Sequence, residues 1–183
     1  GIALLGLHPH KDHELLLTVG RHDDFTLFAG LAFAGGFDNP NDGLWQMAKV
    51  AKGWGRIEMI DRLVEPVSLE IADWLLRQGW DNDIMGEYNA LTCAEYGQMA
   101  ERLAPEEIAD DLFISACAFM TYLCPDGGPA GTLEHYAAAP QALEHQIRHA
   151  LARPADLRTL ALFQTVLDFL ECLARDEDAD LSA

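Results

Sequence analysis

The sequence predicts an all-α fold made of stacked antiparallel helix pairs, an α-α superhelix. Apolar residues recur at three- and four-residue spacing in most segments, which is the period of an amphipathic helix. No stretch alternates between apolar and polar residues as a half-buried strand does. The predicted helices are joined by short links and carry no sustained heptad register, which favours stacked pairs over one symmetric bundle.

We expect residues 1–183 to form a single helical-repeat domain or a fragment of a longer one. A chain of 183 residues suits one domain, and half of its residues are hydrophobic. The first residue is Gly1 rather than methionine, and the apolar turn that follows is typical of a helix already under way. This opening favours the fragment.

The first helices can be placed from their end signals. Pro9 suits the first turn of a helix that Gly20 closes. The segment 25–33 is so apolar that little of it is left to face water, so we expect a central helix there. Turn-forming residues over 35–42 predict a loop.

Two Gly-Trp pairs organise the middle of the chain. Gly53-Trp54 and Gly79-Trp80 each stand between two segments of helical period, which predicts two helical hairpins. In each hairpin the glycine should end the first helix in the left-handed conformation, and the tryptophan should pack back on its last turn. Ser68 is the predicted N-cap of the second hairpin, whose return helix should face inward through Ile84, Met85, Tyr88 and Leu91.

The last third of the chain contains two breaks. Residues 125–131 are rich in glycine and proline and form a possible hinge. Helices are predicted to begin at Pro105, Pro140 and Pro154, since proline is favoured in a first turn. Residues 176–183 should form an acidic tail that frays.

A family resemblance agrees with this arrangement. The pairing pattern resembles HEAT and armadillo α-solenoids, and over roughly residues 1–100 it is similar to an uncharacterised bacterial family of HEAT-like helical proteins. The residues that carry the likeness are Leu44-Trp45, Gly53-Trp54-Gly55-Arg56-Ile57, Arg62-Leu63, Trp74-Leu75-Leu76-Arg77 and Gly79. The resemblance implies the fold but no catalytic residues. Solenoids mostly present surfaces to partners, so it implies a protein-protein interaction scaffold.

The net charge restricts the class of partner. Thirty acidic residues against twelve basic ones give a charge of −18, which disfavours binding to nucleic acid or to anionic membranes. No apolar run approaches the roughly 18 residues of a membrane span. The charge suits a basic protein partner, or it serves solubility alone. Four scattered cysteines without a C-x-x-C pair are typical of buried thiols in a reduced, cytoplasmic protein.

Arg56 marks the first candidate site. It falls in the first turn of its predicted helix, where the helix dipole disfavours a cation, so a compensating group is expected. Glu87 and Asp81 of the neighbouring hairpin are the predicted partners. Two interpretations remain open: a salt bridge that fixes the stacking of the hairpins, or a polar pocket in which Arg56, Glu87, Tyr88 and Asn89 face a ligand or partner.

A histidine cluster gives the alternative, a metal-dependent enzyme. His145 and His149 are four residues apart on one predicted helix, and Glu134 and His135 could add ligands if their turn folds back. Gln146 replaces the glutamate that serves as general base in the H-E-x-x-H proteases, so that chemistry is disfavoured. The other interpretation is two exposed histidines on an amphipathic surface. No cofactor is predicted.

Overall fold

The prediction of an all-α fold is confirmed. The computed structural model describes residues 1–124, 130–154 and 156–180, without the side chains of residues 9, 10 and 176–180. Within those residues the chain forms α-helices, one π-helical turn and one 3₁₀ turn, and no strand. The helices are α1 (Ile2–Leu5), α2 (Pro9–Val19), α3 (Asp23–Gly36), α4 (Asn41–Ala48), α5 (Gly53–Asp61), α6 (Leu69–Trp74), α7 (Glu87–Tyr96), α8 (Met99–Leu103), α9 (Asp110–Thr121), α10 (Ala139–Leu151) and α11 (Leu157–Asp180).

The helices pack in an order that follows the chain. Helix α3 packs against both α2 and α4, and α5 packs against α4. Alternate helices also meet: α1 packs on α3, α3 on α5, α5 on α7, and α9 on α11. The π-helical turn Leu75–Gly79, which continues α6, lies between α7 and α9. Contacts between neighbours and next neighbours therefore run through the described chain.

One hydrophobic core extends along this stack. Its fully buried side chains come from most of the helices and include Phe33, Met59, Leu75, Met99 and Phe119. Burying a side chain of this size stabilises the fold by about 1.5–3 kcal/mol before the entropy cost is counted. Close packing also dictates small residues. A Cβ atom at Gly43 of α4 would lie 2.2 Å from the Phe33 ring, so only glycine lets the two helices approach this closely.

Gly53 begins a helix instead of ending one, so this part of the hairpin prediction is wrong. Helix α4 already ends at Ala48, and Gly53 is the first residue of α5. The left-handed φ of +55° expected for a glycine is present, but it serves to turn the chain into α5. The N–H group of Gly53 donates to the Asn82 carbonyl at 2.7 Å, which fixes this start.

The second hairpin differs in its return helix. Ser68 caps α6 as predicted, since its hydroxyl accepts from the N–H of Ile71 at 3.3 Å. The predicted inward face is wrong at Ile84 and Met85, which are exposed in the turn before α7. The buried residues of α7 are instead Asn89, Ala90, Cys93 and Ala94. The apolar members of this face are small, whereas the prediction followed the larger side chains Tyr88 and Leu91, which are only half-buried.

The end of the chain also departs from expectation. Helix α10 begins at Ala139, next to the predicted Pro140, but α9 begins at Asp110 and α11 at Leu157. Asp156 caps the N-terminus of α11, since its carboxylate accepts from the N–H of Thr159 at 2.8 Å. The helix continues through Asp180, so the described part of the acidic tail is helical. Residues 125–129 of the predicted hinge and 181–183 lie outside the described residues.

None of the helices in the described ranges combines the length and the apolar character that a bilayer crossing requires.

Candidate functional sites

Arg56, in the first turn of α5, lies beside the end of α4 and the end of the π-helical turn. Its Nε atom donates to the carbonyls of Ala48, at 3.1 Å, and of Ala51, at 3.0 Å, just beyond the end of α4. Its Nη1 atom donates to the carbonyls of Gln78, at 3.4 Å, in the π-helical turn, and of Asp81, two residues beyond that turn. One guanidinium thereby joins the ends of two hairpins.

These bonds correct the expected partners of Arg56. The carboxylates of Glu87 and Asp81 were predicted to compensate the cation, but Asp81 contributes its main-chain oxygen. Carbonyls at a helix C-terminus lack intrahelical donors and carry the negative end of the helix dipole. A guanidinium satisfies several of them at once because its donors point outward in a fixed fork. Main-chain carbonyls therefore compensate the charge of Arg56. Every residue type has such a carbonyl, so the sequence does not indicate these partners.

Two buried asparagines extend this contact. Asn82 accepts from the N–H groups of Ile84, at 3.0 Å, and Met85, at 2.9 Å, and its Nδ2 donates to Asn89 Oδ1 at 3.3 Å. Asn89 in turn donates to the Ile57 carbonyl at 3.4 Å and to Asp61 Oδ1 at 3.2 Å. We call Arg56, Asn82 and Asn89 with these bonds the Arg56 joint. It links α4, α5, the turn before α7, and α7.

Asp61 is the titratable group of the joint. Partial burial raises the pKa of its carboxyl above the usual range, and the nearby charge of Glu58 raises it further. The hydrogen bond from Asn89 and the charge of Arg62 act in the opposite direction, without overcoming the increase. The joint therefore holds a carboxyl group that prefers its proton more than a free aspartate does.

The remaining predicted site residues lie at the margin of the joint. Tyr88 packs edge-on against the Trp54 ring, with centroids 4.9 Å apart, and Trp54 is 56% exposed. Glu87 lines a shallow polar depression together with Asp81 and Asp83. Asn89 is fully buried, so it faces α5 rather than a ligand. The structure thus brings Arg56 and Asn89 into one network, while a binding role for the four residues stays a prediction.

The predicted histidine pair divides between core and surface. His149 is 1% exposed, and its Nε2 lies 2.8 Å from the Leu103 carbonyl. A carbonyl only accepts, so this nitrogen carries a proton and donates. His145, one turn before His149 on the same side of α10, is half-buried. The interpretation as two exposed histidines is therefore wrong for His149, whose ring is hydrogen-bonded to the last residue of α8.

The other two metal candidates belong to a local turn. His135 Nδ1 accepts from the N–H of Thr132 at 3.1 Å, and the Glu134 carboxylate lies 3.2 Å from the Thr132 hydroxyl. These bonds form a capping box around the 3₁₀ turn Leu133–His135. Across the described ranges, no group of three or more histidine, cysteine, aspartate or glutamate side chains could hold a metal ion.

Arginines of α10 and the chain after it form a second joint. Arg148 Nη2 donates to the carbonyls of Leu103, Ala104 and Pro105, at 2.7–3.0 Å. Arg153 donates to the Ile108 carbonyl at 2.9 Å and lies over the Phe113 ring. The mechanism resembles that at Arg56, since guanidinium groups again satisfy the carbonyls where a helix has ended.

Three of the four cysteines lie in the core, whereas Cys172, also predicted to be buried, is only half-buried. Cys93, Cys117 and Cys124 are buried, and burial raises the pKa of each thiol, to about 11 for Cys117 and Cys124. A thiol with a raised pKa is a weak nucleophile at neutral pH because little thiolate is present. These three residues therefore act as buried apolar groups, as predicted.

An exposed apolar face on α3 was missed by sequence reasoning. Helix α3 was expected to be central, but only one side of it is buried, through Thr26, Ala29, Gly30, Ala32 and Phe33. On the other side Leu27, Phe28 and Leu31 are 38–46% exposed. A helix that is apolar all round gives no sequence signal for which side lies outward. We call these three residues the α3 face.

Comparisons of this chain with protein-family models, with curated proteins and with solved structures found no match.

Proposed function

We propose that this protein is an interaction module of the HEAT-like type, whose exposed helix faces bind other proteins. The observation that carries the proposal is the α3 face, where three large apolar side chains at i, i+1 and i+4 share one side of a helix. Scattered exposed apolar residues are normal on protein surfaces, whereas a contiguous set marks a contact surface.

The packing order supports the architecture in this proposal. In stacked helix pairs, each helix meets its partner and also the corresponding helix of the next pair. The contacts of α1 with α3, α3 with α5, and α5 with α7 follow this order, as does that of α2 with α4. An array of this kind has long outer faces, and α3 contributes one of them.

Charge supports a basic partner for the proposed module. The net charge of −18 attracts basic surfaces and repels acidic ones. Arg56, Arg77, Arg102, Arg148 and Arg153 all donate to main-chain or side-chain oxygens of the chain itself. Much of the positive charge is therefore committed internally. A cytoplasmic location, in keeping with the buried thiols, stays a prediction.

Affinity capture from cells of the source organism tests the proposal. The double variant Leu27→Gln/Leu31→Gln should lose proteins that the wild-type chain retains, while its thermal unfolding stays unchanged. The matched control is Leu151→Gln, which changes an exposed leucine on α10 (83% exposed) and should retain the same proteins. Retention of every captured protein by the α3 variant would contradict the role of this face.

A further inference from the structure

A groove opens between the last two helices of the chain. Helices α10 and α11 both pack on α9, and the N-terminal half of α10 faces the C-terminal half of α11 across a cavity of about 420 Å³. Its lining is mostly apolar: Leu133, Tyr136, Leu143, Phe169, Leu170 and Leu173. The cavity is open along one side, so a segment of chain could enter it laterally.

The apolar lining continues along α11 beyond the cavity. Leu162, Val166 and Phe169 are buried and form one stripe of this helix, in which Leu162 lies beside α9 and Phe169 lines the cavity. A second stripe, formed by Leu160, Phe163, Leu167 and Leu170, alternates three- and four-residue spacing and leaves its leucines 44–59% exposed. This is the spacing by which one helix packs into the side of another. Leu170 belongs to both the stripe and the cavity.

The facing side of α10 carries a matching stripe. Leu143 lines the cavity, and Ile147, one turn further on, is 45% exposed. Side chains four residues apart lie above one another on a helix, so Ile147 extends the wall that Leu143 begins. We call the cavity with these two stripes the α10–α11 groove. From position 163 to 173 it is about 15 Å long, which matches a helix of about three turns.

The rim of the α10–α11 groove is acidic. Glu134 lines one end, while Glu144 and Glu171 are exposed next to Leu143 and Leu170 in the sequence. On a helical projection these two glutamates border the apolar stripes on their outer edges. Arg175, one turn beyond Glu171, is the basic side chain nearest to this rim on α11.

We infer that the α10–α11 groove binds a basic amphipathic helix of a partner protein. The occupant would place apolar side chains at i, i+3 or i+4, and i+7 on the groove floor, and lysine or arginine against the glutamate rim. A second copy of this chain fits less well, because two molecules of charge −18 repel each other. The inference rests on the proposed interaction function and assigns it a second surface, separate from the α3 face.

Binding of a synthetic peptide to the purified full chain tests the inference. The probe is a fluorescent Leu/Lys peptide of about three turns, with leucines at i, i+3, i+4 and i+7, and anisotropy at about 0.15 M salt gives its Kd. A peptide with every lysine replaced by glutamate should bind at least about tenfold more weakly. A peptide of the same composition with scrambled leucines should also bind more weakly, since it has no apolar stripe.

Matched variants locate the binding surface. Leu167→Gln/Leu170→Gln should raise the Kd of the basic peptide about tenfold or more, because two apolar contacts are lost. Leu15→Gln/Val64→Gln, a pair of apolar residues of similar exposure (49% and 48%) outside both the groove and the α3 face, should leave the Kd unchanged. Circular dichroism and thermal unfolding should show that both variants are folded.

Several results would overturn the inference. No measurable binding of the basic peptide, or equal binding of the acidic one, would exclude this class of partner. An equal loss of affinity in the Leu15→Gln/Val64→Gln variant would show unspecific attraction to an acidic protein. Dimers that dissociate on Leu167→Gln/Leu170→Gln, seen by sedimentation, would assign the groove to a second copy. Since cell capture tests the α3 face separately, either surface can fail without the other.

Discussion

The Arg56 joint holds helices together through polar side chains, whereas the α10–α11 groove presents apolar side chains at the surface. At the joint, Arg56, Asn82 and Asn89 direct their polar atoms to main-chain carbonyls, to N–H groups and to one another. At the groove, apolar stripes of α10 and α11 remain partly open to water. In this chain a conspicuous charged residue marks a place where helices are held together. The surface suited to a partner is apolar.

The largest effect expected at the joint comes from removing the guanidinium. Arg56→Met keeps much of the apolar stem but leaves helix-end carbonyls without donors, and it should lower the free energy of unfolding by about 2–3 kcal/mol. Urea denaturation gives this value. Arg158→Met, at an exposed position of α11, is the control and should change stability by less than about 0.5 kcal/mol. Unchanged stability of the Arg56 variant would contradict the structural role of the joint.

Substitution of Asn82 should have the next largest effect on the free energy of unfolding. It is 1% exposed, and Asn82→Ala removes the acceptor for two N–H groups together with the donor to Asn89, at a cost of about 2 kcal/mol. Asn82→Ser keeps a side-chain acceptor for the turn and loses the donors to Asn89 and to the Met85 carbonyl, so its loss should be smaller. Equal losses for the two variants would show that the turn before α7 does not depend on this acceptor.

Gly53 should show a smaller, conformational effect. Gly53→Ala forces a side chain into φ +55° and brings its Cβ to 3.2 Å from Ile84, so we expect a loss of about 1–2 kcal/mol. Gly35→Ala is the matched control, because no atom lies within 4 Å of a Cβ placed there. Alanine also favours a helix over glycine, so this control should be neutral or stabilising by thermal unfolding.

The smallest expected effect is the pH dependence at Asp61. Its pKa is raised in the folded protein, so the native state holds this proton more tightly than the unfolded chain does. The resulting stabilisation is present at low pH and is lost as the pH rises through the folded pKa. Asp61→Asn keeps an oxygen acceptor for Asn89. Because an amide does not titrate, this variant should not lose stability as the pH rises through that pKa.

Denaturation of wild type and variant across the acid range measures that dependence. The Asp61→Asn protein should gain stability relative to wild type as the pH rises from about 4 to 7. A constant difference would show that the carboxyl has an ordinary pKa. A difference that falls with rising pH would reverse the assigned direction.

Helix periodicity in the sequence was enough to predict the all-α fold, and helix-end residues predicted the start of α2 at Pro9 and the cap at Ser68. It could not assign the ends of α4 and α5, because a glycine with positive φ suits either side of a turn. The inward face of α7 was missed because it depends on a buried asparagine that only tertiary hydrogen bonds satisfy.

The candidate site was predictable to a lesser degree. Arg56 could be singled out because a cation in a first helical turn requires compensation, but its partners are main-chain carbonyls, and those of Gln78 and Asp81 come from the other hairpin. The His145/His149 spacing indicated one shared face, whereas packing against α8 buries only His149. The second stripe of α11 is present in the sequence, but which apolar side chains lie outward depends on how α9 packs.

A crossed measurement of stability and peptide binding tests most directly whether joint and groove are separate. Urea denaturation and the Kd of the basic Leu/Lys peptide would be measured for Arg56→Met and for Leu167→Gln/Leu170→Gln. We expect Arg56→Met to lose about 2–3 kcal/mol of stability and, while folded, to bind the peptide normally. The leucine variant should keep its stability and bind about tenfold more weakly. Loss of binding by folded Arg56→Met, with the leucine variant unaffected, would contradict this account.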